Sequence, residues 1–358
     1  MTFSLTAVQQ AYLAGQMNKV SRSFALVAPA VEEPLNDYLA AAYLICRVVD
    51  NIEDCAQPFA WQQERFNEFA TLLRDPAQAH EILAFWQEES WPGLSEDETR
   101  MMGVADGQML WQIYAKIPAE PRASIARWAL VMARGMEQVI NPHQADFFFI
   151  RDGIRLPAKE DDYDRYCYYV AGTVGHMITE LAISHYGLQG ETAERLLVNS
   201  EASGRALQKT NIVKDFAKDL QRGACFLPDE WLQEVNYTPL ALAGAPDAWK
   251  EKVLANVLVE FENSVNYVLD LPHSAVGFRQ ASLFMMLPGY QTLLLAARNH
   301  DRLFTPDHNI KISRRTMAKC LLDARMIVKN DDAILSYSRN ARVELSKVLN
   351  SDRIATFN

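Results

Sequence analysis

The chain has 358 residues, 49% of them hydrophobic and 22% charged, with 35 Lys and Arg against 45 Asp and Glu for a formal net charge of −10. That composition is globular, and its sign excludes a general attraction to nucleic acid or to an anionic membrane, either of which would need a local basic patch working against the whole. No run reaches the roughly 18 apolar residues that span a bilayer. The opening MTFSLTAVQQAYLAGQMNK lacks a basic segment followed by an apolar core, so a soluble, cytoplasmic protein is expected. The cysteines, Cys46, Cys55, Cys167, Cys225 and Cys320, show neither CxxC nor Cys/His ligand spacing and read as reduced thiols.

Apolar residues recur at three- and four-residue spacing, predicting helices over 5–17, 35–55, 60–73, 78–88, 96–116, 120–139, 161–186, 191–221, 248–270, 277–299 and 313–347. Pro and Gly punctuate them in EEP at 32–34, WPG at 91–93, IPAEP at 117–121 and LPDEW at 227–231. FFFIRDGIRLP, at 147–157, is the segment with strand character. With neither a Gly/Ser-rich linker nor a fixed-period repeat, residues 1–358 read as a single all-α domain.

On the predicted helix 35–55, at about 100° per residue, Tyr43, Arg47, Asp50 and Asp54 fall in one stripe, with Glu53 on its flank. Leu44, Ile45, Val48, Val49 and Ile52 take the other side. The bland alternative is an amphipathic helix with its acidic face in water. ALQKTNIVKDFAKDL, at 206–220, forms a second polar stripe of Gln208, Asn211, Asp215 and Asp219, flanked by Ile212, Val213, Phe216 and Leu220.

Two such stripes turned to a common space would repel one another unless cations or protons compensate them. Several Mg²⁺ ions shared with a diphosphate resolve the conflict, because Mg²⁺ favours carboxylates plus phosphate oxygens. Calcium storage competes, yet the EF-hand loop pattern is absent. Arg47 and Lys214 supply cationic partners on or beside the stripes. Arg22 in NKVSRSFALVAP, flanked by Ser21 and Ser23, is either a further anion ligand or a solvated Arg near a capped helix start. In DRYCYYVAGTVGHMITEL, at 164–181, Tyr166, Val170 and Thr173 share a face, while Gly172 and Gly175 allow close approach by a helix or a ligand.

Taken in order, SRSF at 21–24, YLICRVVDNIED at 43–54, YCYYVAGTVG at 166–175, LQKTNIVKDFAKD at 207–219 and NIKISRR at 309–315 resemble the squalene/phytoene synthase family of head-to-head prenyl transferases. The resemblance covers most of the chain and is strongest to the squalene-forming members. It implies an isoprenoid-synthase-type helical bundle around a central cavity. It further implies that Asp50, Glu53 and Asp54, with Asp215 and Asp219, bind Mg²⁺ and through it the diphosphates of farnesyl diphosphate. Tyr166 matches the catalytic tyrosine. Arg22, Ser23, Phe24, Tyr43, Arg47, Gln208 and Asn211 match positions lining the diphosphate and prenyl pockets, and Val170 and Lys214 join that substrate-binding set. For NADPH the resemblance points to Lys311 and Arg314, with Arg22, Arg47 and Asn211. Two positions depart from the pattern: Lys218 stands where a Glu is frequent, and Ser313 where an Arg is.

The reaction implied joins two farnesyl diphosphates into presqualene diphosphate, then ionises and reduces that intermediate with NADPH. A neutral phenol with pKa near about 10 is a weak base, so Tyr166 or released diphosphate takes the proton lost on cyclopropane closure. The apolar ASLFMMLPGY at 281–290 suits a water-free cavity or a plain helix core equally. Arg314 and Arg315 gain nothing from the dipole at a helix start, which favours an anionic partner there. The competing readings are a dehydrosqualene- or phytoene-type synthase finishing without reductant, and a helical protein that binds isoprenoid diphosphate without turnover. Eukaryotic relatives end in a membrane anchor, whereas this sequence ends LNSDRIATFN. A monomer or weak dimer is expected, soluble or peripheral, in transient contact with a bilayer, although no amphipathic basic helix announces that contact.

Overall fold

The structure, a computed structural model, describes residues 3–20, 27–144 and 146–349. Helices supply nearly all of its regular structure, as the spacing predicts. The chain divides into two compact units, Met1–His143 with His176–Gln189, and Gln144–Gly175 with Gly190–Asn358. Among the described residues no helix is long and apolar enough to cross a membrane. All five cysteines are buried free thiols.

The first unit contains α1 (Ala7–Val20), α2 (Leu35–Asp54), α3 (Phe59–Arg74), α4 (Ala79–Glu88), α5 (Glu96–Met101), α6 (Val104–Lys116) and α7 (Ala119–Ile140). Its centre is α2, which packs on α7, α1 and α3. Leu44, Ile45, Val49 and Ile52 are fully buried, each contributing about 1.5–3 kcal/mol of transfer free energy. Apolar contact on those sides leaves the Tyr43, Arg47 and Asp50 stripe half-buried and Asp54 exposed. Buried Gln62 on α3 donates from Nε2 to the carbonyls of Ile52, Glu53 and Cys55 at 2.9, 2.9 and 3.0 Å. That side chain caps the end of α2. The predicted helix 96–116 is two helices, because Gly103 is extended between α5 and α6, and a Ser95–Glu98 capping box starts the first.

In the second unit the strand-like segment is an antiparallel hairpin, β1 (Phe148–Arg151) and β2 (Ile154–Pro157). Asp152 and Gly153 turn it with φ of 53° and 78°, the two positive values that a type I′ hairpin turn requires. After it come α8 (Glu160–Cys167), a π-helical turn at Tyr168–Gly172, and α9 (Thr173–Tyr186), of which residues from His176 onward belong to the first unit. The remaining helices are α10 (Gly190–Lys214), α11 (Phe216–Gln221), α12 (Asp229–Glu234), α13 (Asp247–Asp270), α14 (Val276–Arg298), α15 (Arg314–Ile327) and α16 (Asp331–Leu349). Predicted helix 191–221 is interrupted at Asp215, whose ψ of 9° leaves the helical range. Predicted helix 313–347 is divided before Asn330, whose Oδ1 accepts from the Ala333 N–H at 3.0 Å and starts α16.

Two buried cations organise the second unit. Lys209 on α10 is 1% exposed and pairs with Asp164 and Glu260 at 2.7 and 2.8 Å, tying α10 to α8 and α13. Arg279 on α14, fully buried, donates to the carbonyls of Val268, Leu271 and Val328 and pairs with Asp331. It thereby satisfies the ends of α13 and α15 while holding the start of α16.

Candidate active site

The first carboxylate stripe lies wholly in the first unit and the second wholly in the second. On α2, Arg47 Nη1 is 3.4 Å from Asp50 and 4.0 Å from Glu98 of α5. Asp50, 28% exposed at its side chain, has its carboxyl pushed up to about 6 by burial first, against the pull of Arg47 and with the repulsion of Asp54 and Glu98. Burial alone would weaken the Arg47 guanidinium's charge, and the surrounding carboxylates more than restore it. Arg47 Nε is buried without a hydrogen-bond partner among the described residues. Moreover, the last turn of α2 has no basic residue, so Asp50, Glu53 and Asp54 oppose the helix dipole, at about 0.3–1 kcal/mol each. An acidic helix facing water would have no reason to sit half-buried on such terms.

Those properties fit a site for Mg²⁺ together with an anion. The donors are hard oxygens, the carboxylates exceed the local positive charge, and a buried guanidinium N–H is unspent. Among the described residues no three His, Cys, Asp or Glu side chains stand close enough to form a complete metal cage, and Mg²⁺ habitually takes one or two carboxylates with ligand and water oxygens.

Ile212 and Val213 on α10 and Phe216 and Leu220 on α11 are buried, which leaves Gln208, Asp215 and Asp219 half-buried and Asn211 exposed. Asn211 donates to Gln208 at 3.5 Å, and the Lys214 ammonium pairs with Asp215. Lys218, the departure from the family pattern, is exposed. The interruption at Asp215 brings in a distant segment: the Ile310 N–H donates to the Lys214 carbonyl at 3.1 Å. Phe304, held at φ 65°, anchors the same segment between Phe216 and Trp249, at centroid distances of 5.1 and 5.7 Å. Lys311 follows, exposed, and Ser313 caps α15 by accepting from the Thr316 N–H at 3.0 Å, leaving Arg314 exposed in its first turn.

Tyr166 is 5% exposed, stacked on Phe226 at 4.5 Å and 8°, with Phe148 of the hairpin edge-on at 5.7 Å. Each ring contact contributes about 0.5–1.5 kcal/mol beyond burial. The hairpin is joined to the residues after Asp219, since the Arg155 N–H donates to Gly223 and the Cys225 N–H to Arg155, both at 2.8 Å. Tyr166 and the second carboxylate stripe therefore share one backbone framework. Directly after Tyr166 the π turn carries Val170, half-buried, and the Thr173 hydroxyl donates to the Tyr169 carbonyl at 2.8 Å. Single π turns in longer helices frequently mark functional sites.

A side chain at Gly175 would collide with the Ser200 carbonyl, and one at Gly204 with the Ala171 carbonyl. Gly175 thus serves helix packing, whereas the nearest neighbour of Gly172 is Tyr168 in its own helix. Arg22, Ser23 and Phe24 lie outside the described residues. Reasoning from sequence missed Glu98, Gln62, Gly204 and Phe226. The SEDE at 95–98 signals a capped helix start, but nothing in it says that Glu98 meets Arg47.

The squalene/phytoene synthase family profile matches residues 17–316. The chain is 28% identical to squalene synthase ERG9 of Saccharomyces cerevisiae over 87% of its own length and spans 66% of the length of that relative. Among solved structures, the complex of TcSQS with the ligand E5700 superposes with a TM-score of 0.77 at 23% identity, covering 97% of this chain and 95% of that one. A dehydrosqualene synthase in complex with ligand gives 0.61 at 20% identity, covering 90% and 97%. These two likenesses establish a common fold.

Proposed function

This chain belongs to the squalene/phytoene synthase family, and we propose that it condenses two molecules of farnesyl diphosphate to presqualene diphosphate and reduces that intermediate to squalene with NADPH. The observation that carries the reading is the half-buried Arg47–Asp50 pair with its unspent guanidinium N–H, an arrangement that spends stability on a charged ligand. Asp50, Glu53 and Asp54 of the first stripe would hold Mg²⁺, as would Asp215 and Asp219 of the second. When bound, Mg²⁺ neutralises the diphosphate that must leave.

Arg47 and Lys214 donate to diphosphate oxygens, and Gln208 and Asn211 position the substrate by hydrogen bonds. The allylic C–O bond breaks, the second substrate's C2–C3 double bond attacks, and a proton is lost as the cyclopropane closes. Tyr166, dry between Phe148 and Phe226, holds or relays that proton. Arg22, Ser23, Phe24, Tyr43 and Val170 are the further residues proposed to bind substrate, and the cations must be kept from water.

For the second half Lys311 and Arg314, with Arg22, Arg47 and Asn211, bind NADPH, whose chemistry is hydride delivery. Support for the reductive finish is the Lys311 segment itself, held by Ile310 and Phe304 next to the second stripe. The family also includes enzymes that finish by proton loss. Incubation with farnesyl diphosphate and Mg²⁺, with and without NADPH, separates the outcomes by product. Squalene formed only with NADPH is expected. Dehydrosqualene regardless of NADPH overturns the reductive step, and no diphosphate release under either condition overturns catalysis.

A further inference from the structure

We infer that the outward face of α15 docks on the surface of an anionic lipid bilayer. The chain carries −10 overall, yet residues 314–329 hold Arg314, Arg315, Lys319, Arg325 and Lys329 against the single acid Asp323. Helical geometry places Arg315, Lys319, Leu322 and Met326 within about 30° of one line along α15, Lys329 follows in the turn after the helix, and all five are exposed. Leu322 and Met326, one turn apart on its crest, are 56% and 73% exposed. The opposite side is buried through Cys320, Ala324 and Val328, which fixes the helix with this face outward.

A single exposed Leu is ordinary and calls for no explanation. Two large apolar side chains on a crest bordered by cations form the pattern of a helix lying in a membrane interface. The apolar tips enter the boundary below the headgroups, while Arg and Lys lay their alkyl stems along it and keep their charges at the phosphates. Charge complementarity selects an anionic surface, because the cations of this face attract a negative partner that the acidic remainder of the chain would repel. A protein partner would need about 800 Å² of complementary surface on each side, far more than two side chains supply. A nucleic acid would find phosphate contacts in the cations but no use for the apolar crest.

The inference goes beyond the catalytic reading and is measured without turnover. The full chain is co-sedimented with vesicles of phosphatidylcholine alone and of phosphatidylcholine with phosphatidylglycerol, at low and raised salt. Retention on the anionic vesicles, lost at raised salt, is expected. Arg315→Gln, Lys319→Gln and Lys329→Gln should each lower partitioning about fivefold, and Leu322→Ser with Met326→Ser should lower it further. Circular dichroism monitors the fold of these surface variants. The proposal is overturned by no retention on anionic vesicles, by equal retention on phosphatidylcholine alone, or by variants that bind as wild type. It is also overturned if the Leu322→Ser and Met326→Ser changes abolish self-association instead, which would make a second copy of this chain the occupant, or if DNA captures the chain with the same dependence on both residues.

Discussion

The Ile310 N–H donates to the Lys214 carbonyl at 3.1 Å, so the segment bearing Lys311 is fastened one residue from the point where Asp215 interrupts α10. Anchoring at one end by this bond and at the other by Phe304 gives an exposed lysine a defined position. Removing its charge should affect the reductive half more than the condensation. In Lys311→Ala, squalene output should fall at least about tenfold, the loss of a hydrogen bond to a charged group, with presqualene diphosphate or an unreduced product accumulating. Product analysis at several NADPH concentrations checks this, and an unchanged NADPH dependence counts against the assignment.

Asp50→Asn and Asp215→Asn should each slow diphosphate release by about a hundredfold or more, the scale of metal-assisted charge stabilisation. Asp50→Asn carries a second expectation. Because burial and the neighbouring carboxylates already disfavour the charged form of Asp50, neutralising it should raise the thermal midpoint of the ligand-free protein at neutral pH by a few degrees. A calorimetric scan showing a lower midpoint would refute the view that this residue is held against stability.

Gly204→Ala tests the contact that positions the π turn. The added methyl meets the Ala171 carbonyl, part of the backbone, and neither helix can yield by a side-chain rotation. Overpacking should cost about 1–3 kcal/mol and shift Val170, with a loss of turnover greater than the loss of stability explains. Denaturant midpoints and rates measured on the same preparation separate the two effects.

The Arg279–Asp331 pair sets an acid limit on stability. Burial would raise the Asp331 carboxyl, but hydrogen bonds from His273 and Arg279 outweigh it and hold the group below the usual carboxylate range. A depressed folded-state value gives stability that is complete above the ordinary carboxylate pKa and lost as pH falls through the depressed one. Asp331→Asn should therefore destabilise the protein at pH 7 and become indistinguishable from wild type in strong acid. Arg279→Ala, which abandons three helix-end carbonyls as well, should cost about 3–5 kcal/mol at neutral pH. Urea unfolding across pH checks both.

Much of the all-α organisation could be read from spacing because helices carry their own periodicity. The stripe of Tyr43, Arg47, Asp50 and Asp54 is a property of 3.6 residues per turn, as is the one through Gln208, Asn211, Asp215 and Asp219. The DG at 152–153 likewise encodes its own turn. Interruptions were harder, since Asp215 and the π turn at 168–172 are departures of a few residues within otherwise continuous helical pattern.

Residue types and their order along the chain were sufficient to single out the carboxylate stripes, Tyr166 and the basic segment around Lys311 as candidates, since local periodicity and chemistry are written in consecutive residues. Folding decided that Glu98 shares Arg47, that Gln62 caps α2, that Phe226 stacks on Tyr166, and that Ile310 reaches Lys214. Folding also chose the exposed face of α15, whose apolar residues run around the helix, so that only packing of Cys320, Ala324 and Val328 could turn Leu322 and Met326 outward. These relationships depend on contacts between segments far apart in sequence, and their free energies arise from burial and charge proximity that no single segment possesses.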